Sequence, residues 1–93
     1  MIDNFKCKLT KELWEKGTSK KIPASLRRVA LRKLVLIDDA SEYKDLMIPP
    51  ENHLEVLKGD REGQHSIRIN NQWRICFKWI DGDAHHVEIV DYH

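Results

Sequence analysis

Leu57-Lys58-Gly59-Asp60-Arg61-Glu62-Gly63-Gln64-His65-Ser66-Ile67-Arg68-Ile69-Asn70-Asn71-Gln72-Trp73-Arg74-Ile75-Cys76-Phe77-Lys78-Trp79 is the stretch whose reading decides the fold. A charged turn bearing two glycines opens into two runs in which apolar and polar residues alternate, the period-two signature of strands. Ile67 and Ile69 alternate with Ser66 and Arg68, while Trp73, Ile75, Phe77 and Trp79 alternate with Arg74, Cys76 and Lys78. Register follows, because the apolar face must stay continuous across the pair. A loop at 70–72 sets Ile69 opposite Trp73, Arg68 opposite Arg74 and Ile67 opposite Ile75. A loop shorter by one residue would set Ile67 against Arg74. The first register is therefore expected, with two arginines side by side on an open sheet face. Like charges placed directly across strands cost stability. An anion bound between them removes that cost.

The same test at Asp81-Gly82-Asp83 pairs Phe77 with Val87, Ile75 with Ile89 and Arg74 with Val90, and puts Tyr92 on the arginine face. Upstream, Leu54 to Leu57 reads as a short edge strand leading into the hairpin. Pro49-Pro50 stops any helix before it, and 41–47 has room for one helical turn.

The first half is helical in period. Leu26, Val29, Ala30, Leu34 and Ile37 recur at three- and four-residue intervals, predicting a helix from about Pro23 to Ala40. Arg27, Arg28, Arg32 and Lys33 fall largely off that stripe and are expected as an exposed basic flank. A shorter helix is expected from Thr10, read as its N-cap, to Gly17, with Trp14 as a core anchor. Phe5 and Cys7 alternate in a first strand over 2–7. The fold class expected is α+β.

The 93 residues fit one small domain over 1–93 with a thin core. No apolar run approaches the ~20 residues needed to cross a bilayer, and Met1-Ile2-Asp3-Asn4-Phe5 has neither a basic start nor an apolar signal region. No membrane role and a cytoplasmic site are expected. Cys7 and Cys76 lack metal-site spacing and read as small buried hydrophobes rather than a disulfide. The net charge of +1 conceals an asymmetry: residues 1–36 carry ten Lys or Arg against three acids, and residues 37–62 carry three against eight. A dipolar surface of this kind suits a polyanion at one end and an oppositely charged partner at the other; its bland counterpart is a solvated basic helix face.

The chain closes Val90-Asp91-Tyr92-His93. Beside Arg68 and Arg74, and within reach of Lys58 on its glycine-flanked turn, this set suits phosphodiester chemistry. Cleavage through the 2′-hydroxyl of RNA needs a base, an acid for the leaving 5′ oxygen, and cations for charge building on phosphorus. A tyrosine ring can also stack a splayed base. The competing reading is a frayed, solvated chain end. His85-His86 does not make a metal pair, since neighbours on a strand point to opposite faces. Lys58-Gly59-Asp60-Arg61-Glu62-Gly63 lacks P-loop spacing and opens into a strand, which argues against nucleotide hydrolysis. His65 reads as either a surface residue or a contributor to the site.

Leu57 to Gly63, Ser66-Ile67, Asn71, Trp73-Arg74-Ile75, Phe77, Asp81 to Ala84 and Asp91-Tyr92-His93 together resemble the HigB toxins of the RelE/ParE superfamily. The likeness is dense over the second half and looser over the first, through Phe5, Glu15-Lys16-Gly17 and the break at 38–42. It implies a compact α+β domain, with an N-terminal strand and two main helices on one face of a twisted, mainly antiparallel sheet. It further implies a ribosome-dependent mRNA endonuclease without a metal or other cofactor. The partners implied are a HigA-like antitoxin, the ribosome and mRNA, with operator DNA reached only through the antitoxin.

Carried over residue by residue, Lys58, Arg74, Asp91, Tyr92 and His93 match the family's catalytic positions, with Arg61, Arg68 and Lys78 as further RNA contacts. One departure bears on the mechanism. Where the family's run reads Leu-His-Pro-Leu-Lys-Gly, this chain has Leu54-Glu55-Val56-Leu57-Lys58-Gly59, so Glu55 stands at the histidine position. The general base is open between His93, Glu55 and Asp91. Two other readings share the fold: a ParE-like toxin that inhibits gyrase by binding, and a non-catalytic interaction module.

Overall fold

The computed structural model describes residues 1–91. Helices α1 (Lys8–Lys16) and α2 (Ala24–Asp39) precede three single-turn 3₁₀ segments, Tyr43–Met47, Pro50–Asn52 and Gly59–Arg61. The strands are β1 (Glu55–Val56), β2 (His65–Arg68), β3 (Trp73–Ile80) and β4 (Asp83–Asp91), in the order β1-β2-β3-β4, with each neighbouring pair antiparallel. Both helices pack on one sheet face. Their Leu13, Leu26, Ala30, Leu34 and Ile37 meet Ile67, Ile75, Phe77 and Val87 from the strands in one buried cluster. Full burial of each large side chain contributes roughly 1.5–3 kcal/mol.

The β2–β3 register is the one that apolar continuity demands, with Ile67 opposite Ile75 and Arg68 opposite Arg74. Asn70 makes the turn: its Oδ1 accepts from the backbone N–H of Gln72 and of Trp73, each at 2.8 Å. An Asn side chain that bonds its own backbone two or three residues on replaces a turn's missing main-chain partners.

The second hairpin departs from expectation at its tip and agrees with it further on. Its loop is the two residues Asp81 and Gly82, with Ile80 opposite Asp83, and not the three-residue Asp81–Asp83 turn expected. Both loop residues have positive φ, 50° and 85°, as a type I′ turn requires. That pairing alone would turn Val87 and Ile89 away from the helices. An irregularity between Cys76 and Lys78 corrects it, since Lys78 pairs with His85 but Cys76 with Glu88. The extra residue lies in β4, where His86 takes φ 54° and its N–H donates to Asn4 Oδ1 at 2.6 Å. Such a bulge shifts side-chain parity by one. Ala84 before it and Val87 beyond it both point into the core, and the expected pairings of Ile75 with Ile89 and Arg74 with Val90 hold.

The first strand expected over 2–7 is not a regular strand. Ile2 and Phe5 form isolated parallel bridges to Ala84 and Val87 in place of a continuous ladder. The segment still closes the exposed edge of β4, with Ala84 N–H donating to Met1 O at 2.9 Å and Val87 N–H to Asn4 O at 3.2 Å. Thr10 completes that edge and is not the helix N-cap. Cys7 holds the cap position without a side-chain bond, while the buried Thr10 Oγ1 accepts from Ile89 N–H at 3.0 Å. Gly17 ends α1 as expected, at φ 75° with its N–H donating to Leu13 O.

The basic flank of α2 is also less uniform than expected. Arg27 Nε donates to Ile22 O at 2.8 Å, and Lys33 is buried, its Nζ donating to Asn52 Oδ1. His65 is no surface residue. Its ring lies 4.5 Å from that of Tyr43 and 5.9 Å from that of Phe77, and burial lowers its pKa from 6.5. Both cysteines are free thiols, with Cys76 fully buried and its pKa raised chiefly by that burial.

Thr10→Val keeps the shape of the side chain and strands the Ile89 N–H, so urea denaturation should show a loss of about 1–3 kcal/mol. An unchanged midpoint would remove Thr10 from the edge-closing role. The His65 ring binds its proton less readily folded than unfolded, so the folded state loses stability as pH falls below 6.5 and regains it above. His65→Phe should flatten that part of the melting-temperature profile relative to the wild type. An identical acid-side slope in both proteins would assign the pH dependence to other groups.

Candidate active site

Side chains of the outer sheet face, turned away from the helices, form the site. The registers place Glu55, Ser66, Arg68, Arg74 and Cys76 on it. Because β1 has only two residues, its ladder with β2 ends at Glu55 and Ser66, leaving the β2 edge open beyond that point. A cleft of about 320 Å³ forms there, lined by His53, Glu55, Arg68, Asn70, Asn71 and Arg74.

Arg74 does not lie on an open face, as the alternation alone suggested. It is 8% exposed, and its Nε donates to Ser66 Oγ at 2.8 Å while Nη2 donates to His53 O at 2.5 Å. Its Nη1 lies 3.9 Å from Glu55 Oε1. The guanidinium plane is thus fixed by groups from three segments, and a fork held in this way presents a preset geometry to a phosphate. Arg68, its cross-strand partner, is half-buried and donates through Nη2 to Asn71 Oδ1. The like-charge pair read from the register is real, and Glu55 offsets part of its repulsion.

The candidate residues divide on this geometry. Glu55, Arg68 and Arg74 come together in the cleft. Lys58 is exposed at the start of the Gly59–Arg61 turn and does not line the cleft. Arg61 reaches across the outer face to Glu88, with Nη1 2.7 Å from Oε1. Lys78 lies four residues along β3 from Arg74, opposite His85. Asp91 pairs with Trp73, which gives it the face opposite to Arg74, and its Oδ2 accepts from Gln72 Nε2 at 3.0 Å. Tyr92 and His93 lie outside the described residues. Among the described residues, no group of three or more His, Cys, Asp or Glu is placed to hold a metal ion.

Sequence reasoning missed His53, Asn70 and Asn71. His53 follows the Pro50–Asn52 turn at φ 45°, a conformation uncommon outside glycine, and its carbonyl holds Arg74. The Pro49-Pro50 pair ahead of it was a local signal of a constrained turn. Nothing local shows that this turn returns to the arginines. Asn70 was read only as a loop residue and Asn71 only as one of the residues carrying the resemblance, although a loop between two strands bearing arginines on one face must border the space between them.

Two solved structures share this architecture. The YoeB–YefM complex from Staphylococcus aureus contains a chain that matches with a TM-score of 0.63 at 17% identity, over 100% of this chain and 98% of that one. YafQ from E. coli matches with a TM-score of 0.57 at 13% identity, over 98% of this chain and 93% of that one. At these identities the likeness shows the fold alone. Sequence relatives go further. Toxin HigB-1 of Vibrio cholerae is 41% identical over 85 residues, 90% of each chain, and Endoribonuclease HigB of Proteus vulgaris is 42% identical over 93 residues, 100% of each. The family model for the RelE-like toxin of type II toxin–antitoxin system HigB matches residues 3–93. By the family model and these relatives, the chain belongs to the RelE-like HigB toxins of type II toxin–antitoxin systems.

Proposed function

We propose that residues 1–93 act as one cytoplasmic toxin domain, a ribosome-dependent endoribonuclease that cleaves mRNA without a metal cofactor and is neutralised by a HigA-like antitoxin. The observation that carries this reading is the cleft in which Arg68 and the fixed fork of Arg74 converge with Glu55 and His53. The name of the Proteus vulgaris relative, an endoribonuclease, supports it at 42% identity.

In this mechanism the scissile phosphate binds between Arg74 and Arg68. It takes over the Nη1 end of Arg74 that faces Glu55 in the free protein. Glu55 then accepts the proton of the 2′-hydroxyl as its oxygen attacks phosphorus, and the two guanidinium groups stabilise the added charge in the transition state. The phosphorus–5′-oxygen bond breaks, and His93 protonates the leaving oxygen. Tyr92 stacks or orients a base, while Lys58, Arg61 and Lys78 meet the strand or ribosomal RNA beyond the cleft. Asp91 orients the end of the chain. His93 remains the alternative base should Glu55 serve only to position Arg74; Asp91 lies on the opposite sheet face and is not placed for that role.

RNA ends mapped on translating ribosomes test this. Arg74→Ala should lower cleavage by about 10²–10³-fold, with circular dichroism and urea melts showing that the buried position still folds. Glu55→Gln should lower it by about 10²–10⁴-fold. Full cleavage by a folded Arg74→Ala protein would sink the assignment. Arrest of DNA synthesis ahead of translation, with intact mRNA, would favour gyrase inhibition instead.

A further inference from the structure

A second cleft, of about 310 Å³, adjoins the first and shares His53, Arg68 and Asn70 with it. It runs from the open edge of β2 onto α2, where Val29, Arg32 and Lys33 form its other wall. We propose that this cleft is a second nucleotide subsite, which holds the RNA nucleotide adjacent to the scissile phosphate, with its phosphate at Arg32 and Lys33 and its base against Val29 and Ile69. The inference rests on the ribonuclease reading above and deepens it.

Lys33 is the chief ground. It is 5% exposed, and its Nζ donates to the neutral amide of Asn52, which in turn donates from Nδ2 to Leu46 O at 3.1 Å. Among the described residues no carboxylate lies within ion-pairing distance of it. A buried charge ordinarily has a counter-charge, because desolvation without one is costly. Burial, with Arg32 alongside, pushes the Lys33 ammonium below its ordinary pKa, and Glu51 on the same rim acts in the opposite sense. A phosphate arriving in the cleft supplies the missing charge.

The remaining walls fit a nucleotide better than a simple anion. Val29 and Ile69 are apolar, which suits the flat face of a base, whereas Arg32, Lys33 and Arg68 outnumber the one acid, Glu51. Pockets of about 300 Å³ with an apolar wall and a few convergent polar groups are at the size at which small ligands bind. Continuity adds to this: since the two clefts share His53, Arg68 and Asn70, a strand whose phosphate sits between Arg68 and Arg74 has its neighbouring nucleotide beside the second cleft.

The test is amide-shift NMR titration of the full chain with uncleavable 2′-O-methyl oligoribonucleotides, a dinucleotide and a trinucleotide. The wild type should bind the trinucleotide about tenfold more tightly, with shifts at Arg32 and Lys33 seen only for the longer strand, which alone carries a second phosphate. Arg32→Glu and Lys33→Gln, the latter able to keep a hydrogen bond to Asn52 without the charge, should lose that gain and bind the dinucleotide like the wild type. Retention of the gain by both variants, or equal binding of the two strands by the wild type, overturns the subsite. No binding of either strand overturns the subsite, while the ribonuclease reading is judged separately by RNA ends on translating ribosomes. If Arg74→Ala binds the dinucleotide normally while the length gain still depends on Arg32 and Lys33, the subsite stands and the scissile-phosphate assignment falls.

Discussion

A buried guanidinium has to find acceptors, and the way Arg74 finds them ties the site together. Ser66 on β2, the His53 carbonyl after the double-proline turn and the Glu55 carboxylate on β1 all converge on this one side chain. β2 is held independently by its ladder with β3 and by buried Ile67, and the Pro50–Asn52 turn by buried Asn52 on Lys33 and Leu46 O. β1 has only two residues, both exposed, and Arg74 is one of its few side-chain anchors. The arginine therefore orders the loop that borders its own cleft, and a cation fixed before ligand arrives loses little freedom when a phosphate binds.

The opposite edge of the sheet follows a different logic. β4 would present unpaired backbone groups to any passing strand, and the N-terminal residues with Thr10 occupy them instead. The bulge at His86 makes this possible and also corrects the parity of β4, so one extra residue serves both the core and the edge. The two edges thus have separate functions. The β4 edge is closed by the chain itself, whereas the β2 edge is left open past Glu55, which is where both clefts form.

Membership of the HigB toxins and the cleft chemistry meet at Glu55. Glu55 lies on the arginine face and neutralises part of the Arg68–Arg74 charge. In the proposed mechanism it is displaced or redirected when a phosphate takes its place. The double arginine is consequently tolerated in the unliganded fold. No helix of the described chain is long and apolar enough to cross a membrane, and the exposed apolar residues Met47, Ile48 and Val56 are scattered about the turn region and β1.

What the sequence by itself determined was whatever depends on periodicity: the α2 stripe, the β2–β3 register and the arginine pair that the register creates. A period-two pattern admits one continuous apolar face, so the pairing is forced before any coordinates exist. The Asp81-Gly82 turn escaped the same argument because a tip of two residues followed by a bulge leaves the distant pairings where a three-residue turn would put them. Tertiary structure decided the rest. Thr10 looks like a cap until β4 offers it an N–H, Lys33 looks like a solvated flank until Asn52 folds over it, and His53 has no local mark of facing two arginines. Each of these depends on a contact between segments far apart in the chain, and local propensity carries no information about which distant group will arrive.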